Sequence, residues 1–177
     1  MAVVQFDAHA DLRDEYMGEA LSHATVIRRV WDIFHEQGGD GRDSIFQFGI
    51  RSGCKAEFEW ASGHVTTERF GASGVQKAVE VISDRPMYVT IDLDVLDPSE
   101  FSGTGTPEAG GMSFDELLDA IMKLPGNNIV GFDLCELSPH YDASGVSTAV
   151  ACKILREMLI AFSQVKTHGG FASPKSS

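Results

Sequence analysis

The feature that most constrains this chain is an apolar strand that ends in a cluster of acidic residues, and it occurs twice. Val3-Val4-Gln5-Phe6 runs straight into Asp7-Ala8-His9-Ala10-Asp11, and the stretch Met87 to Leu93 leads into Asp92-Leu93-Asp94-Val95-Leu96-Asp97-Pro98. Continuous apolar runs of this length suit strands covered on both faces. Ile45 to Ile50, ending in Arg51-Ser52-Gly53, and Ile129 to Leu134, ending in Cys135-Glu136-Leu137-Ser138-Pro139, repeat the arrangement, with a weaker strand around Val65 to Thr67. Between them, helical spacing predicts helices over Gly18 to Gln37, Ser73 to Ser83 with Ser73 as N-cap, Ser113 to Leu124 behind the capping box Ser113-Phe114-Asp115-Glu116, and Ser144 to Phe162. Strands alternating with helices predict an α/β domain with a mainly parallel sheet.

Charge then narrows the partners. The formal net charge is −12, from 26 acidic side chains against 14 Lys and Arg. Nucleic acid is excluded as a partner, because phosphate binding needs a basic footprint. An acidic surface serves solubility, and it equally draws in cations, whether metal ions or a positively charged substrate. Cys54, Cys135 and Cys152 are widely spaced with no CxxC pairing, so they are expected to be small buried hydrophobes and not a disulfide or zinc framework. No run has the apolar length of a membrane span and no export signal is visible, so no membrane partner is expected and the cytoplasm is the expected compartment. The length of 177 residues fits one domain, expected over 1–165, followed by a Gly- and Ser-rich tail over 166–177 expected to be disordered.

Residues two apart on an extended chain point to the same side, so Asp7, His9 and Asp11, and likewise Asp92 and Asp94, can each aim into one pocket. Parallel sheets build their sites at the carboxyl ends of strands, where both clusters fall. Four carboxylates and one imidazole converge only if cations sit among them. An oxygen-rich donor set with one imidazole favours Mn²⁺, with Co²⁺, Fe²⁺ and Zn²⁺ as alternatives. The competing explanation, that an Asp after a strand merely starts a turn, suits one cluster better than two.

Val3 to Asp11 and Thr90-Ile91-Asp92-Leu93-Asp94, followed by Asp97-Pro98 and Gly103-Thr104-Gly105-Thr106-Pro107, resemble the signatures of the ureohydrolases, the arginase and agmatinase family. The resemblance covers nearly the whole chain. It implies a three-layer α/β/α fold, with Asp7 and Asp92 bridging two Mn²⁺ ions, Asp11 completing the shell of one ion, and His9 and Asp94 that of the other. A hydroxide bridging the ions, within hydrogen-bond reach of Asp11, would attack a guanidinium carbon. Glu136 would grip the guanidinium through two parallel hydrogen bonds. His23 would protonate the departing amine, a task suited to a group that titrates near neutrality. None of the other histidines is assigned a role: His35 and His64 are expected to be solvated, His168 lies in the tail, and His140 follows Pro139 in a loop that could border the pocket. Arg51 is expected to pair with an acidic neighbour.

The implied substrate is a small cationic guanidino compound. Asp11-Leu12-Arg13-Asp14-Glu15-Tyr16 and Ser138-Pro139-His140-Tyr141-Asp142 look more like agmatinases, which make putrescine and urea from agmatine, than like arginases. Homo-oligomers are common in the family. The family also carries an upstream Gly-Gly-Asp-His segment whose histidine ligates one metal. No such segment stands in this sequence, so the chain is expected to be the carboxy-terminal two-thirds of such a domain, without its N-terminal strands. The alternative to an active hydrolase is a non-catalytic metal-binding fragment or assembly subunit. A two-metal phosphohydrolase has no motif in its favour.

Overall fold

A computed structural model describes residues 1–163. Four apolar runs and one polar stretch become five strands: β1 (Ala2–Phe6), β2 (Ile45–Ile50), the polar β3 (Thr66–Arg69), β4 (Met87–Asp92) and β5 (Ile129–Cys135). They pair in the order β3-β2-β1-β4-β5, every neighbour parallel. The chain winds outward from β1 in one direction to β3, then returns to lay β4 on the other side of β1. The gap beyond the ends of β1 and β4 is therefore the switch point, where sheets of this kind bind ligands.

The two faces of the sheet are covered separately. Ala2, Val4 and Phe6 of β1 point to the side packed by α3 (Val75–Ile82), α4 (Phe114–Ile121) and α5 (Val146–Phe162). Val3, Ile45 and Ile50 point to the side packed by α1 (Val26–Glu36) and α2 (Lys55–His64). This is the three-layer arrangement the resemblance implies. The two edges differ in chemistry. β3 is Thr-Thr-Glu-Arg, suited to water, whereas β5 is Ile-Val-Gly-Phe-Asp-Leu-Cys with Val130 56% exposed.

Several boundaries depart from expectation. The first helix does not begin at Gly18: Met17 and Gly18 have φ of +54° and +84°, and Tyr16 and Glu19 exchange backbone hydrogen bonds across this turn. The helical path starts only at Ser22, whose capping box with Thr25 opens a short 3₁₀ turn before α1. Helix α2 is not anticipated by periodicity, because its apolar residues do not fall on one stripe. Its start is fixed instead by Glu57, which accepts the Cys54 N–H at 2.7 Å. Ser73 does not cap α3; its N–H and hydroxyl both donate to Glu68. The capping box of Ser113 and Glu116 does open α4. All three cysteines are free and exposed, contrary to the expectation of burial: Cys54 lies before α2 at the rim of a cavity, Cys135 ends the edge strand, and Cys152 is on the outer side of α5. Among the described residues no helix is long and apolar enough to cross a membrane. The expected tail over 166–177 lies outside the described residues.

Candidate metal centre

The pairing of Phe6 with Ile91 sets the next residues, Asp7 and Asp92, side by side at the switch point. Asp7 is 3% exposed and accepts the His9 N–H at 2.6 Å. Asp92 accepts the Asp94 N–H at 2.9 Å, which curls the chain so that Asp94 turns inward to 1% exposure. There Asp94 Oδ1 accepts the Ala8 N–H at 3.1 Å, Thr106 donates to Oδ2 at 3.3 Å, and His9 Nδ1 lies 2.9 Å from Oδ2. One ligand atom from each of Asp7, His9 and Asp94 lies within 4.8 Å of the others. Asp11 completes the first cluster with a left-handed backbone, φ +54°. That conformation is held from both sides: the Arg28 N–H donates to the Asp11 carbonyl at 3.1 Å, and the Leu12 N–H donates to buried Glu57 at 3.2 Å. Asp97, though part of the acidic run, turns away to accept the N–H groups of Ser99, Gly110 and Gly111.

Crowding of like charge has the expected electrostatic result. Burial, with repulsion from Asp94 added, pushes Asp7 up to about 6 against the opposing pull of His9. Burial and the charge of Asp7 push Asp11 up to about 8 and Asp92 up to about 10. His9, hydrogen-bonded to Asp7 and Asp94, is raised to about 11, and although burial opposes it, that bond draws Asp94 below the ordinary carboxylate range. The protein thus concentrates carboxylates where only a positive partner makes their ionised forms favourable. Buried, convergent oxygen donors with a single imidazole suit a divalent cation of the Mn²⁺ type, so the residues present fit such an ion.

Asp7, His9, Asp11, Asp92, Asp94, His23 and Glu136 all line one cavity of about 350 Å³. His23 stands on the 3₁₀ turn before α1 with its ring edge-on to Tyr16, centroids 5.2 Å apart. Glu136 follows β5 with φ +61° and faces Gly105, where an added Cβ would sit 3.5 Å from its Oε2. His35, His64 and His140 are not among the lining residues, although His64 is stacked on Trp60 rather than solvated. Arg51 makes no ion pair with a carboxylate among the described residues. It donates instead to the carbonyls of Gly49, Asp94, Val95, Leu96 and Glu108, tying the end of β2 to the Asp94 loop and to the Gly-rich loop. Sequence reasoning missed Glu57, which binds Leu12 and Cys54 and lies 3.4 Å from Arg13 Nε. Its position three residues past Cys54, ahead of Phe58 and Trp60, was the available signal.

Residues 1–161 match the Arginase family. The chain belongs to the arginase family. Within it, the agmatinase of Bacillus cereus is 46% identical over 165 residues, 90% of this chain and 54% of that protein. The proclavaminate amidinohydrolase of Streptomyces clavuligerus is 35% identical over 175 residues, 93% of this chain and 54% of that protein. A crystal structure of a candidate agmatinase from Clostridium difficile superposes with a TM-score of 0.84 at 49% identity, covering 92% of this chain and 58% of that one. The chain spans about half the length of the curated relatives it matches. Its sheet, with helices on both faces, is the arginase-family fold.

Proposed function

We propose that this chain carries the metal-binding core of a guanidino hydrolase, with agmatine as substrate and putrescine and urea as products. The observation that carries this reading is the convergence of four carboxylates and one imidazole in a cavity that also holds Glu136 and His23. Asp7, His9, Asp11, Asp92 and Asp94 would hold the metal, proposed to be two Mn²⁺ ions. Such ions supply, when bound, an acidified water as nucleophile at neutral pH.

The chain's own residues do the rest. Glu136 accepts two N–H groups of the planar guanidinium and so fixes its carbon over the acidic cluster. Asp11 takes up the proton of the attacking water. His23 delivers a proton to the nitrogen on the substrate's alkyl side, so that the C–N bond breaks to leave a neutral amine and urea, whose remaining hydroxyl proton passes to solvent. The agmatinase relatives and the motifs around Arg13 and Tyr141 favour agmatine within the guanidino class. The enzyme is proposed to be a cytoplasmic homo-oligomer, with residues 1–165 as one domain.

The deciding experiment measures urea released from agmatine in the presence of Mn²⁺, beside arginine and a phosphate monoester. Urea from agmatine at the highest kcat/KM is the expected result. Phosphate release, or preference for arginine, would refute the substrate assignment, and bound metal without turnover would favour a non-catalytic metal-binding subunit.

A further inference from the structure

One row of polar side chains crosses the whole sheet just beneath the acidic cluster. Register places Gln47 beside Thr67, Gln5 beside both Gln47 and Thr90, and Thr90 beside Asp133, so all five strands contribute one residue. Side chains alternate along a strand, so Gln5 and Thr90 face the same side as Asp7 and Asp92, two residues further on. The row therefore lies one layer below the proposed ligands, on the face packed by α1 and α2.

Gln5 is 2% exposed and Gln47 0%. Apolar neighbours on the same face, Val3 and Ile45, show that this layer accepts hydrocarbon, and burying a primary amide is costly unless its bonds are made. Here they are made, and in one direction. Thr67 Oγ1 donates to Gln47 Oε1 at 2.9 Å, Gln47 Nε2 donates to Gln5 Oε1 at 2.7 Å, and Gln5 Nε2 donates to Asp7 Oδ2 at 2.7 Å. Gln47 Nε2 donates a second bond, 2.7 Å, to the carbonyl of Ala10, between His9 and Asp11. A single network thus grips the carboxylate of Asp7 and the backbone that carries the other two residues of the cluster. Successive donors aligned this way polarise one another and strengthen the last bond.

We propose that Gln5 and Gln47 are positioning residues for the metal centre: they fix the carboxylate plane of Asp7 and the path of the His9–Asp11 loop before any ion binds. This rests on the metal-centre reading above. A neutral amide suits the task, since it donates to Asp7 without adding charge to a crowded site. Outer-shell groups of this kind are worth about 10- to 100-fold in metal affinity.

The test titrates Mn²⁺ into the 177-residue chain and into Gln5→Met and Gln47→Met, which keep side-chain bulk and remove the amides, with binding followed by calorimetry and by the Mn²⁺ resonance signal. The expected result is a loss of about 10- to 100-fold in Mn²⁺ affinity for Gln5→Met and a smaller loss for Gln47→Met, with unfolding midpoints near that of the parent. A merely structural role gives the opposite split, a shifted midpoint with unchanged Mn²⁺ affinity, and would overturn the proposal. If Gln5→Met does not fold, Gln47→Met decides alone: it leaves the Gln5 to Asp7 bond in place but frees Ala10, and unchanged affinity overturns the proposal. Absence of Mn²⁺ binding by the parent chain would overturn the metal-centre reading, and this inference with it.

Discussion

His9 Nδ1 lies 2.9 Å from Asp94 Oδ2, so an imidazole from the loop after β1 and a carboxylate from the loop after β4 share one buried contact. The bonds of His9 to Asp7 and Asp94 favour the protonated imidazole, which is then the cation of the acidic cluster. A divalent ion bound there has to displace that proton.

Metal-free stability should therefore fall as pH rises. Asp7, Asp11 and Asp92 have folded-state pKa values of about 6, 8 and 10 against 3.8 when exposed, so the folded state binds more protons than the unfolded one throughout that interval. His9, raised from 6.5 to about 11, acts with the same sign: its contribution is full below 6.5 and is lost as pH climbs through about 11. Asp94, lowered, acts oppositely but only below 3.8. Thermal melts in chelator are expected to give a lower midpoint at pH 8 than at pH 6. Mn²⁺ affinity should rise over the same range, because the ligands must lose protons to bind. A metal-free midpoint that climbs with pH would contradict the electrostatics described above.

Asp92→Asn removes the charge of a proposed ligand while keeping its shape. Mn²⁺ content measured by mass spectrometry should drop by at least about 10-fold in affinity, and more than for Asp97→Asn, whose side chain only caps a turn. Equal metal content in the two variants would remove Asp92 from the site.

His23→Ala should lower kcat by about 100-fold or more, the scale of general acid catalysis, with metal content unchanged. Its exposed ring touches Tyr16 and no proposed ligand, so folding should be unaffected. Loss of metal together with activity would make His23 a structural or ligating residue instead.

Arg51→Lys keeps the charge but not the planar fork that reaches five carbonyls on three segments. Carbonyls left unpaired cost about 1–3 kcal/mol, and the midpoint of chemical denaturation should fall accordingly with little change in slope. A variant as stable as the parent would show that these bonds are replaceable by water.

Val130→Lys tests the apolar edge. With Val130 exposed on β5, the chain is expected to self-associate at rising concentration, and a lysine at this position should suppress that association as charged edge residues generally do. Sedimentation of the two proteins decides, and identical behaviour would place any association elsewhere.

The sequence by itself determined the strands, their mainly parallel arrangement and the residues of the acidic cluster, because apolar runs ending in Asp-x-His-x-Asp and Asp-x-Asp combine a burial signal with a concentration of carboxylates, although Asp11 and Asp94 reach the site through left-handed and 3₁₀ backbone and not through a strand's period of two. The residues implied by resemblance, His23 and Glu136, also come to the same cavity. What only the tertiary structure decided is the support around them. Glu57 lies on a helix without an apolar stripe, and its partner Leu12 is remote in sequence. Arg51 bonds carbonyls and not carboxylates because the end of β2, the Asp94 loop and the Gly-rich loop all turn carbonyls toward its guanidinium. Gln5 and Gln47 sit inside runs that otherwise spell burial, and only the pairing of β1 with β2 shows that their amides bond each other and end on Asp7. Periodicity reports which face a residue occupies, whereas a hydrogen bond across strands depends on register, which is fixed by the packing of the whole sheet.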